Sequence, residues 1–87
     1  MRYKIYLTGK ARKKLDSLNQ KSRRMILDTL SFLRDYGFSQ RLDIKKLKGF
    51  KNHYRLRVGK YRILFELEKP DKIIIYAILP RKKAYKK

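Results

Sequence analysis

Apolar residues recur at every second position on either side of Gly59. Tyr54, Leu56 and Val58 are separated by Arg55 and Arg57, and Tyr61, Ile63, Phe65 and Leu67 resume the same period after Lys60. A period of two is that of a strand with one buried face. Gly59-Lys60 between the two runs suits a tight type II′ hairpin turn, whose first loop residue needs a positive φ. That turn sets the register: Val58 opposite Tyr61, Arg57 opposite Arg62, Leu56 opposite Ile63, Arg55 opposite Leu64. The apolar set then shares one face, and Arg55, Arg57 and Arg62 share the other. Like charges directly opposite each other destabilise a sheet. Two readings of that face stay open: an anion held between the arginines, or the solvated outer surface of a very basic protein.

The remaining pattern supplies the other elements. Residues 2–8 read as a strand through Tyr3, Ile5 and Leu7, and Thr8 is placed to cap a following helix. That helix, near 10–19, carries Ala11, Leu15 and Leu18 on one stripe, and Asn19 marks a break. A second helix over 21–36 shows a wide apolar face of Met25, Ile26, Thr29, Leu30, Phe32, Leu33 and Tyr36, with Gly37 placed to end it. A loop over 37–44 follows, anchored with the next segment by Ile44 and Leu47. After the hairpin, Pro70-Asp71 marks a turn, and the nearly continuous apolar run at 72–79 predicts an interior strand covered on both faces or nearly so. The order is β-α-α-β-β-β. It predicts an α+β fold, with a helical hairpin on one face of an antiparallel-rich sheet and the arginine face left open.

Length and composition narrow the function. The 87 residues make a single domain, 1–87, that can fold alone but has little room for a deep cofactor pocket. There is no cysteine and one histidine, His53, so a thiolate or histidine metal cluster is not expected and no cofactor is implied. No apolar run is long enough for a signal peptide or a membrane helix, which predicts a cytoplasmic protein with no membrane partner. Lys and Arg number 26 against 7 Asp and Glu, a net charge of +19. Such a charge speaks of partners: nucleic acid first, an acidic protein second. Its distribution is sharper than its total, because Lys45 to Arg62 holds eight basic residues and no acidic one. The helix cations Lys10, Arg12, Lys13, Lys14, Lys21, Arg23 and Arg24 read as a solvated surface.

Conventional catalytic groups are scarce. No Ser-His-Asp set, paired carboxylate motif, zinc pattern or phosphate-binding glycine loop can be drawn. His53 reads as a surface residue or an acid–base group. Tyr3, Tyr6 and Tyr36 read as core or rim aromatics. Tyr85 differs, because it sits in a polar, basic tail where no core demands a ring; it reads as an anchor, a base-stacking platform or a functional phenol. An enzyme built of Arg, Lys and Tyr can still cleave RNA, because RNA carries its own nucleophile in the 2′-hydroxyl and arginines supply charge stabilisation in the transition state.

The stretch KLKGFKNHYRLRVGKYRILFEL, the β-α-α-β-β-β order and the PRKKAY ending together resemble the RelE toxins of the RelE/ParE superfamily, with archaeal members the most similar. The resemblance covers nearly the whole chain. It implies a type II toxin–antitoxin toxin: a ribosome-dependent, metal-independent endoribonuclease that cuts mRNA in the A site by 2′-hydroxyl attack and so inhibits translation. It implies an acidic RelB-type antitoxin as partner. By position, Arg55 and Arg57 match the basic pair before the turn and Arg62 the arginine that contacts the scissile phosphate. Arg81 matches the tail arginine linked to the leaving group, and Tyr85 the tail tyrosine that stacks on a base. On this reading Arg57, Arg62, Arg81 and Tyr85 are catalytic, and Arg55, Lys46, Lys48, Lys51, Lys82 and Lys83 bind RNA. Well-studied bacterial members carry lysines where this chain has Arg55 and Arg57, and arginine does not serve readily as a base. The alternatives are a ParE-like gyrase poison and a non-catalytic basic module that binds RNA or the ribosome.

Overall fold

The computed structural model describes residues 2–80. The elements run β1 (Lys4–Leu7), α1 (Gly9–Ser17), α2 (Gln20–Tyr36), β2 (Asp43–Lys46), β3 (His53–Val58), β4 (Tyr61–Glu68) and β5 (Lys72–Pro80). The strands form one sheet in the order β1-β5-β4-β3-β2, with β1 parallel to β5 and every other neighbour antiparallel.

The helix boundaries follow from local chemistry. Thr8 caps α1, its hydroxyl accepting from the Ala11 amide at 3.2 Å, and Asn19 caps α2, accepting from the Ser22 amide at 2.8 Å. Each cap satisfies one of the amides that a helix start leaves unbonded. Gly37 ends α2 at φ 74. Ala11, Leu15, Ile26, Leu30 and Leu33 of the helices bury themselves against Leu56, Val58, Ile63, Phe65, Ile73, Ile75 and Ile78 of the sheet. One face of the sheet is thus the core and the other faces outward.

The β3–β4 hairpin has the expected register, from Val58 opposite Tyr61 to Arg55 opposite Leu64. Gly59 has φ 56, and Lys60 is not among the residues with positive φ, which is the type II′ signature.

Three expectations are corrected. Residues 43–46 form an edge strand, so the order is β-α-α-β-β-β-β. The apolar face of α2 is narrower than its sequence suggests: Tyr36 is 70% exposed, with Phe32 tilted against it at 4.7 Å between ring centres. Lastly, β5 lies inside the sheet with only one face fully covered, through Ile73, Ile75 and Ile78; Ile74 and Tyr76 on the other side are half-buried.

Candidate functional site

Paired residues on neighbouring strands share a face, so the register places the chemistry. Arg57 and Arg62 face each other across β3 and β4, and Arg55 lies beside them opposite Leu64. Edge strand β2 adds Asp43 opposite Arg57 and Lys45 opposite Arg55. The outward face therefore carries the arginine cluster at the end of the sheet nearest the Gly59 turn.

The three arginines are not equivalent. Arg55 is only 9% exposed, and its Nη1 donates to the Asp43 carboxylate at 3.1 Å. Arg57 Nη1 lies 3.9 Å from the other oxygen of Asp43. One carboxylate thus offsets part of the repulsion that the sequence pattern implied. The side chain of Arg62 makes no ion pair or hydrogen bond among the described residues, and its Nε is buried without an acceptor. A buried charged donor without an acceptor costs desolvation energy that a bound oxyanion would offset.

The expected lysines scatter. Lys46 pairs with Tyr54 and so shares the helix side of the edge strand, away from the arginines. Lys45, paired with Arg55, is the lysine of β2 on the arginine side. Lys48 and Lys51 are exposed in the loop between β2 and β3. Arg81, Lys82, Lys83 and Tyr85 lie outside the described residues.

His53 has a defined place. It ends the outward face of β3 opposite Glu66, and its Nδ1 is 2.9 Å from the Tyr76 hydroxyl. Tyr76 shares the outward face with Ile74, and β5 has a bulge at this point. Leu64 pairs with Ala77 and Phe65 with Ile75, so Tyr76 is the extra residue. Burial first, and then the charge of Glu66, hold the Tyr76 phenol above its ordinary range. His53 stands four residues from Arg57 along one strand, about 13 Å at the usual rise. It does not reach a phosphate held between Arg57 and Arg62.

Sequence reasoning missed Asp43, Lys45 and Tyr76. Reading DIKK as a strand antiparallel to β3 would have found the first two. Alternation with inward Ile73 and Ile75 turns Tyr76 outward, but nothing in KIIIYAIL marks its contact with His53. Among the described residues no group of three or more His, Cys, Asp or Glu could hold a metal, and no helix is long and apolar enough to cross a membrane.

Comparison with known proteins carries the same pattern of elements. Residues 5–85 match the family model described as ParE toxin of type II toxin–antitoxin system, parDE. Toxin RelE3 of Methanocaldococcus jannaschii is 53% identical over 45 residues, a stretch covering 52% of this chain and 50% of that toxin, so the match spans about half of the curated relative. The archaeal RelE–RelB complex of Pyrococcus horikoshii superposes with a TM-score of 0.80 at 28% identity, over 93% of this chain and 97% of the matched one. The RelB–RelE complex of Methanococcus jannaschii gives 0.76 at 34% identity, over 91% and 93%. A hairpin with opposed arginines, a helical hairpin behind it and agreement across nearly the full length place this chain in the RelE/ParE superfamily of type II toxin–antitoxin toxins, as a RelE toxin of archaeal type.

Proposed function

We propose that the chain cleaves mRNA in the ribosomal A site, using the outward arginine face to hold the scissile phosphate. The observation that carries this reading is Arg62, whose buried Nε lacks an acceptor while its strand partner is another arginine. An anionic oxygen between Arg57 and Arg62 supplies the acceptor and screens the two charges from each other.

The reaction follows from RNA itself. The 2′-oxygen attacks the adjacent phosphorus and gives up its proton. The bond from phosphorus to the 5′-oxygen breaks, and that oxygen takes a proton. The products are a 2′,3′-cyclic phosphate and a 5′-hydroxyl. Negative charge grows on the non-bridging oxygens in between, where Arg57 and Arg62 stabilise it. By resemblance, Arg81 steadies the leaving oxygen and Tyr85 stacks on or orients the nucleotide. Arginines are poor bases and His53 is too far away, so the toxin does best where another body aligns the attacking oxygen. The ribosome fills that role, and alignment is worth a large share of the barrier.

In this reading an acidic RelB-type antitoxin covers the basic surface and keeps the toxin inactive, in keeping with the RelE–RelB pairing in the complexes it resembles. A second reading, poisoning of DNA gyrase, draws on the family model, which is described as a ParE toxin. Arg62→Ala tests the first. Cleavage of translated mRNA should fall by about 10²–10³, the usual cost of one transition-state donor, while the melting temperature holds or rises because Arg57 loses a like charge. An Arg62→Ala protein that keeps full cleavage, or one that unfolds, contradicts the assignment.

A further inference from the structure

The outward face does not end at the arginines. Beyond Arg55 and Leu64 it opens into a cavity of about 610 Å³ whose walls include Phe50, His53, Leu64, Glu66, Ile74 and Tyr76. We propose that this cavity is a nucleobase subsite for a nucleotide flanking the cleaved bond, with a preference for bases that carry an exocyclic amino group. The proposal rests on the RNA-cleavage reading and names a part of the site that the arginines do not explain.

Four observations carry it. First, the walls are aromatic and the floor aliphatic. The His53 ring lies 5.8 Å from Phe50 and 5.4 Å from Tyr76, and Leu64 and Ile74 line the same cavity. Flat rings over an apolar floor take up a base by stacking, whatever its sequence. Second, Phe50 is 60% exposed in a basic loop, where no core demands a ring, and it stands at the rim. Third, the Glu66 carboxylate makes no ion pair or side-chain hydrogen bond among the described residues, on a protein of net charge +19. A carboxylate repels phosphate and accepts from amino groups such as cytosine N4. Phosphate is thus favoured at the arginine end and a base at the glutamate end. Fourth, the two ends lie on one face at a fixed offset. Glu66 is four residues from Arg62 on the same strand, about 13 Å at the usual rise. One nucleic-acid strand can therefore engage both ends at once. The Tyr76 hydroxyl, held protonated by burial and by Glu66, remains available for hydrogen bonding to a base edge or to His53.

Binding of short 2′-O-methyl homopolymers of A, C, G and U to the full chain tests this, because the modification removes the nucleophile and leaves the bases intact. The wild type should bind the amino-bearing A, C and G oligomers more tightly than U. Phe50→Ala should weaken all four about 10-fold, in line with the loss of one stacking platform. Its salt dependence should not change, because the phosphate contacts are elsewhere. Glu66→Gln should narrow the gap between U and the others. Wild-type affinities for all four oligomers in both variants would overturn the subsite while leaving cleavage by Arg62 standing. Unchanged RNA binding in Phe50→Ala with a weakened antitoxin complex would assign the cavity to a protein partner and overturn it as well. A wild type that binds none of the oligomers and cuts no translated mRNA would overturn the subsite and the cleavage reading together.

Discussion

At the residue scale, position within the sheet separates side chains that look alike in sequence. Arg55 and Arg62 are both arginines on alternating strands, yet Arg55 is buried against Asp43 and Arg62 has no bonded side-chain partner among the described residues. The first contributes to holding the edge strand, and the second is the one the proposed function assigns to the phosphate oxygens. Tyr76 makes the same point for tyrosines. Its phenol is pushed up, so the folded state favours the protonated form. That contribution to stability is complete below the unfolded value of about pH 10 and is lost as pH rises through the folded one. An absorbance titration should show a phenol ionising above the ordinary tyrosine range, and Tyr76→Phe should remove that step. A titration that is the same in the wild type and in Tyr76→Phe above that range would contradict the burial described for Tyr76.

At the element scale, the hairpin was legible because its alternation is broken only at Leu64 and its turn is chemical. Alternation over Tyr54–Val58 and Tyr61–Leu67 fixed the faces, and a glycine at the first loop position fixed the register. Both helix starts were legible for the same reason: Thr8 and Asn19 are capping residues ahead of periodic stripes. Strand β2 was not, because it offers a single apolar residue, Ile44, among Asp43, Lys45 and Lys46. Short, charged strands are how proteins protect a sheet edge, and that protection erases the alternating signal. With β2 hidden, Asp43 counted as lying outside the basic segment, although in space it sits against Arg55 and Arg57. The turn offers a direct check. Gly59 holds φ 56, and a Cβ there would come within 2.7 Å of the Met25 methyl. Gly59→Ala should cost about 1–3 kcal/mol through a backbone region that favours glycine, read as a lower denaturant midpoint with unchanged slope. A neutral substitution would mean that the turn adopts another geometry.

At the scale of the whole molecule, charge and fold divide the work. The helical hairpin buries one face of the sheet and frees the other to present cations, and the net charge of +19 draws polyanions to it. Single-stranded RNA binding should weaken steeply with salt. With about five engaged cations, the slope of log affinity against log salt should be about −3.5, and a flat response would remove phosphate contacts from the account. The tail residues Arg81 and Tyr85 were assigned by resemblance and lie outside the described residues, so their part is settled by chemistry in solution. The proposed activity is cleavage of mRNA on the ribosome by 2′-oxygen attack. It is checked by adding the wild-type chain, and separately Arg62→Ala, to a translating extract and mapping the 3′ ends of a reporter mRNA. New ends should appear at A-site codons, bearing 2′,3′-cyclic phosphate or 3′-phosphate, depend on translation and fade in Arg62→Ala. Intact mRNA, ends bearing 3′-hydroxyls, or DNA breaks in place of mRNA ends would contradict it.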